Sequence, residues 1–157
     1  PRPGGRVGAP GSLQWTPLYE EPMVLLAHRQ EGSASLRTLL RGRPFIRFDR
    51  AEHTGELVER TLRRLRAKPT ELIELNSIET MVELVRAGLG VALLPLLRNG
   101  RWERDPQLRV LPLPAGTEAR RLGWLQARVN PKAAALAAVL QAFGPPEAAP
   151  HPTQSPP

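Results

Sequence analysis

Cysteine is missing altogether from the 157 residues, which excludes disulfides, thiolate nucleophiles and cysteine-ligated metals. Histidine is scarce, and His28, His53 and His151 stand far apart, without the i,i+4 spacing that places two zinc ligands on one helix face. Aromatic residues make up 4% of the chain and do not alternate with arginine, so no platform for stacking nucleic-acid bases is present. No apolar run approaches the roughly 20 residues needed to span a bilayer, and the start lacks a basic-then-apolar signal pattern. A cytoplasmic chain without membrane contact is therefore expected. Gly-x-Ser-x-Gly elbows, phosphate loops and calcium loops are likewise missing.

Basic residues, proline and glycine are what the chain has in quantity. Lys and Arg number 22 against 15 Asp and Glu, a formal charge of +7, and almost all of the positive charge is arginine. The excess permits attraction to nucleic acid, an acidic partner or a small anion, while dispersed arginines also suit an ordinary solvated surface. Proline and glycine crowd residues 1–12 and the region after 143. The first stretch reads as a flexible linker and 144–157 as a disordered tail, leaving one compact domain over 13–143.

Within that domain the pattern alternates between strands and helices. The continuous apolar run Met23–Ala27 suits a strand buried on both faces. Leu36, Leu39 and Leu40 at helical spacing, behind Ser33 or Ser35 as a cap, predict a helix over 33–41 closed by Gly42. Phe45–Phe48 is a short strand. Leu57, Val58, Thr61, Leu62 and Leu65 form one stripe of a helix over 55–67, with Thr54 as its cap and Pro69 as its stop. Its glutamates lie early and its arginines late, which complements the helix dipole and explains them as ordinary helix stabilisation, an anion or nucleic-acid surface being the alternative.

The block from Leu72 to Pro95 is the most informative. Leu72–Leu75 reads as a strand, Ile78, Met81, Val82 and Val85 as the apolar face of a helix, and Val91–Leu94 as a further strand. Asn76 with Glu79 offers a capping box and Ser77 a competing cap; either puts backbone N–H groups and a positive dipole end beside a strand, an arrangement that suits a small anion as well as its own cap. Gly88 fits the position after the helix and Gly90 a tight turn into the next strand. A Gly-x-Gly pair in the order helix, glycines, strand is the reverse of a dinucleotide-binding loop. Residues 96–107 read as a polar connection, 108–113 and 122–127 as strands, and a last helix runs from Pro131 or Lys132 to Phe143.

No catalytic constellation emerges. Asp49, between Arg47 and Arg50, is explained by a local ion pair, and the chain is expected not to be an enzyme and to need no cofactor. Helices 55–67 and 77–87 are separated by Pro69 and a strand, so they do not make a helix-turn-helix.

The segments 15–28, 43–48, 76–95 (NSIETMVELVRAGLGVALLP) and 108–113 resemble, in order and spacing, the effector-binding domain of LysR-type transcriptional regulators. The resemblance implies an α/β fold, a two-lobed module like the type 2 periplasmic binding proteins, of which this chain carries mostly the second subdomain: 23–27 as a crossover strand, 33–113 as most of that lobe, and 122–143 returning to the first. It implies sensing of a small effector, a carboxylate being the candidate, without covalent chemistry. It also implies homo-oligomers in which the apolar part of 55–67 or the helix 131–143 takes part, and DNA binding only by an N-terminal domain that this chain lacks. The chain starts at Pro1 without Met and is expected to be truncated at its N-terminus. Carried onto these residues, the site comprises Arg47, Arg50, Thr54, Asn76 and Ser77, the hydroxyls donating hydrogen bonds and the arginines facing an anion. The alternative is a stand-alone solute-binding or protein-interaction module.

Overall fold

A computed structural model describes residues 12–98, 100–129 and 131–142. The expectations for 1–11, Phe143, His151 and the tail 144–157 fall outside them. The chain forms two units, a larger one of Pro22–Arg120 and a smaller one of Pro1–Glu21 with Arg121–Pro157.

The larger unit is built on a five-stranded mixed sheet of order β4-β3-β5-β2-β6. Strand β2 (Met23–His28) runs antiparallel to β5 (Val91–Pro95) on one side and to β6 (Leu108–Pro112) on the other, so that Leu25 faces both Leu93 and Leu111. Its first five residues are all buried, as a strand hemmed in on both faces requires. Strand β3 (Phe45–Phe48) runs parallel to both β5 and β4 (Glu71–Leu75). Parallel neighbours need crossovers, which α2 (His53–Arg64) and α3 (Ile78–Arg86) supply.

Those helices pack on the sheet through their predicted stripes. Leu57, Val58, Thr61 and Leu62 of α2 and Met81, Val82 and Val85 of α3 are buried, each large apolar side chain contributing about 1.5–3 kcal/mol. The stripe of α2 is thereby consumed by the unit's own core and is not offered to a partner subunit. Ahead of them, α1 (Leu36–Gly42) is capped by Ser35, whose hydroxyl accepts from the Thr38 amide at 3.2 Å, and buries Leu39 and Leu40.

Helix ends show where residue type and geometry agree and where they do not. Beyond α3, the Gly88 amide donates to Val85 and the Leu89 amide to Leu84, with Gly88 at φ +74°. The paired bonds satisfy the last carbonyls, and glycine takes the left-handed position at no steric cost. Beyond α2 the same pair of bonds runs from Arg66 to Arg63 and from Ala67 to Leu62, but Arg66 takes the left-handed position, at φ +50°. A side chain there costs about 1–2 kcal/mol. So α2 is ended by this turn at Arg64, and not by Pro69.

Two further expectations change. The cap position of α2 is Glu52, which makes no side-chain capping bond, and Thr54 is instead a buried residue of the first turn. Trp102, read as part of a polar connection, lies in a 3-10 turn (Arg101–Arg104) and joins the hydrophobic core. No periodicity marks a lone tryptophan among charges as buried. Strand β4 is an open edge, with Leu72 53% and Ile73 43% exposed.

In the smaller unit β1 (Leu13–Glu21) pairs with β7 (Arg120–Ala127) in a two-stranded sheet, and α4 spans Ala133–Ala142. Strand β1 escaped the sequence reading because Pro17 lies in its middle. A two-stranded sheet has an open edge on each strand, where a missing N–H is tolerated.

Gly90 is required for close approach and not for a positive φ. A Cβ there would lie 2.3 Å from the Pro44 carbonyl oxygen, which accepts the Val91 amide at 2.9 Å and so starts the β3/β5 pairing. Gly90→Ala is expected to lower unfolding free energy by about 1–3 kcal/mol, read from the urea midpoint. A variant as stable as the parent would show that Pro44 yields freely.

Candidate functional site

The ends of the parallel strands β3 and β4 carry two helix starts. The Asp49 amide donates to the Leu75 carbonyl at 2.8 Å and the Arg50 amide to Glu74 Oε1 at 3.0 Å, which lays the loop 49–52 beside the end of β4. Its turn is held by Asp49 itself, whose Oδ1 accepts the Ala51 amide at 2.8 Å. The carboxylate thus caps a turn and does not pair with Arg47 or Arg50, as the sequence suggested. Helix α2 then begins so close that a Cβ on Gly55 would stand 1.8 Å from the Asp49 carbonyl oxygen. Helix α3 starts from the neighbouring strand.

Of the competing caps for α3, Ser77 holds the position. Its Oγ accepts the Thr80 amide at 3.3 Å, lies 3.1 Å from Thr80 Oγ1 and 3.3 Å from Glu79 Oε2. Asn76 is exposed and Ser77 partly so. Asn76, Ser77 and the start of α2 with Thr54 therefore share one end of the sheet. Since no side chain caps α2, its first-turn N–H groups add to the positive dipole end there.

The two arginines are engaged elsewhere. Arg47 is 2% exposed; its guanidinium bonds Glu59 on α2 and Glu71 at the start of β4, the latter at 2.9 Å. Arg50 turns back along β4 to bond Glu71 at 2.6 and 2.8 Å and to pair with Glu74. The result is a chain of alternating charge, Glu59, Arg47, Glu71, Arg50, Glu74, along the open edge of the sheet. The sequence reading missed these glutamates as partners. Their spacing from the arginines, 12 to 24 residues, carries no local signal.

Hydrogen bonding from Arg50, with the positive charge of Arg47 close by, holds the Glu71 carboxyl below its ordinary range in spite of partial desolvation. Hydrogen bonding to Glu71 in turn raises Arg50. The ion pairs also line a groove of about 1150 Å³ bounded by α2, the end of α1 and the start of β4. Among the described residues no group of three or more His, Asp or Glu is placed to hold a metal ion, and no helix is long and apolar enough to cross a membrane.

A group whose folded pKa is depressed stabilises the fold above its unfolded value, about 4.3 for glutamate, and loses that contribution as pH falls through the folded value. Stability followed by urea denaturation should therefore drop on acidification below that range, and Glu71→Gln should be less stable near neutrality and show a shallower acid drop. An unchanged acid profile in Glu71→Gln would remove Glu71 from the network's energetics.

The family described as LysR substrate binding domain matches residues 4–144. Among solved structures, the effector-binding domain of QuiR in complex with shikimate is similar over 88% of this chain and 68% of that one, at 15% identity and a TM-score of 0.67. The regulatory domain of Synechocystis CcmR in complex with 2-PG is similar over 90% and 72%, at 20% identity and TM-score 0.69. The effector domain of Pseudomonas aeruginosa AmpR gives 87% and 66%, 23% and 0.61. At these identities the likeness is one of fold. None of the curated proteins compared with the chain matches it.

Proposed function

From the premise that this chain belongs to the LysR substrate binding domain family, we propose that it is the ligand-sensing part of a DNA-binding transcriptional regulator. In this reading DNA is contacted by another domain, and the chain binds a small effector without covalent chemistry. The observation that carries the reading is the pair of helix starts, α2 and α3, at neighbouring ends of parallel strands, where ligands of open α/β sheets gather. Ser77 and Asn76 present polar side chains there and the first turn of α2 around Thr54 presents backbone N–H groups. A carboxylate suits such donors. Arg50, 48% exposed in its side chain, supplies charge by exchanging a glutamate for the ligand, while Arg47 beneath it fixes the strand. Shikimate, bound by the QuiR domain, is a carboxylate of the size envisaged.

Binding at this end acts through differential affinity for two arrangements of the regulator, which linkage transmits to the DNA-binding part. Homo-oligomer formation belongs to the same reading. The open edge of β4, with Leu72 and Ile73 exposed side by side, is the surface offered, since unpaired edge strands pair or are covered.

A panel of aromatic and aliphatic carboxylates should include at least one that raises the melting temperature of the chain, because a ligand that prefers the folded state stabilises it. Ser77→Asp keeps the helix cap but places a negative charge at the site, so it should abolish that shift, whereas Ser77→Thr should retain it. No shift from any member at concentrations up to about millimolar would sink the anion reading. For assembly, Leu72→Lys with Ile73→Lys should lower the sedimentation coefficient of the parent toward that of a monomer. A parent that already sediments as a monomer would remove β4 as the interface.

A further inference from the structure

The groove beside α2 is lined by seven cationic side chains and three carboxylates. The cations fall into two sets. Arg47 and Arg50 are paired with Glu59, Glu71 and Glu74, and Arg60 with Glu118, bonded from Nε at 2.7 Å. The other four, Arg41, Arg63, Arg66 and Lys68, have no carboxylate within pairing distance among the described residues. For Arg47, Arg50 and Arg60 the unit supplies a counter-ion. At the end of the groove formed by α1, the last turn of α2 and the 66–69 connection, it supplies none.

Three observations indicate that this end is shaped for a ligand. It is concave, and an adjoining cavity of about 250 Å³ continues it, sharing Arg41, Arg66 and Ala67 and adding Arg37, which stands one helical turn before Arg41 on α1. Its floor is apolar, from Leu36, Leu40, Leu65 and Pro114, and low-dielectric walls strengthen the field of the cations above them. Finally, Arg66 holds the left-handed position at φ +50° that glycine fills in the equivalent turn after α3. A cation is thus kept where a glycine would be more stable, and strain of this kind collects at functional sites.

We propose that Arg41, Arg63, Arg66 and Lys68, with Arg37, form a second binding site, for a small anion carrying two or more phosphoryl or carboxyl groups. Planar guanidinium forks bind either group bidentately. Four or five clustered cations match a multiply charged ligand and not a monoanion. The site shares no residue with Asn76, Ser77 and Thr54, so it stands or falls apart from the effector reading.

The test is calorimetric titration of the 157-residue chain at low ionic strength with pyrophosphate, with citrate and with a short DNA duplex. Pyrophosphate or citrate should bind, the stronger of the two identifying the ligand group, and affinity should fall as salt rises. Arg66→Gly should weaken that binding by about tenfold, the worth of a lost charged hydrogen bond, while raising the melting temperature. The double variant Arg41→Gln with Arg63→Gln should abolish binding, and Arg101→Gln, outside the groove, should leave it unchanged. Equal affinity in Arg66→Gly and the parent, or equal loss in Arg101→Gln, would overturn the proposal. Binding of the duplex with neither small anion competing would overturn it in favour of a nucleic-acid surface.

Discussion

Burial of the Arg47 guanidinium governs how the larger unit is put together at its open edge. A charge taken out of water costs several kcal/mol unless it is paired, so the position of Arg47 on β3 obliges α2 to present Glu59 and β4 to present Glu71. Helix and strand are thereby fixed to the same side chain. Strand β4 has little apolar burial of its own, and it is held by its ladder to β3 and by these ion pairs. The end of β4, and with it the start of α3 and the position of Ser77, follows from where that strand is pinned. The candidate effector site thus rests on an electrostatic network that runs along β4 from Glu71 at its start to Glu74 near its end.

Much of this was legible from periodicity. Strands β2 and β5 are short continuous apolar runs, β3 is apolar but for Arg47, and α2 and α3 carry unambiguous helical stripes, because burial on the sheet selects those patterns directly. The left-handed Gly88 was equally plain, since the preceding helix leaves few other roles for it. What escaped has a different physical origin. The Arg47 and Arg50 partners come from distant segments, and charge pairing across tertiary contacts leaves no spacing to read. Arg66 occupies a glycine position without being glycine, so residue type pointed to the wrong stop for α2. Pro17 and Trp102 each contradict the local preference of the element they belong to, and only the surroundings reconcile them.

The candidate site shows the same division. The start of α3 was legible from Asn76 and Ser77, because caps are local chemistry, whereas α2 begins behind Glu52 with no side-chain cap and not behind Thr54 as expected. Whether a nearby arginine faces a ligand is decided by competition among all acceptors within reach. Glutamates on α2 and β4 win that competition for Arg47 and Arg50, whereas the arginines at the far end of the groove meet no such competitor among the described residues. Those unpaired arginines are the ones proposed above for anion recognition, and their positions differ from Arg47 and Arg50, which the sequence singled out.

The antiparallel strand β2 has a consequence for modularity. Val24 pairs with Leu94 on one side and with Pro112 on the other, so the strand that brings the chain into the larger unit and the strand after which it leaves are neighbours at matching ends. Everything from Pro22 to Arg120 is consequently an insertion, a closed excursion whose two ends meet. Units built this way need no continuous chain beyond their borders to complete their sheet, and they tolerate being moved between hosts or opened at a new position. In such an architecture the larger unit is topologically a cassette, exchangeable through a single pair of junctions.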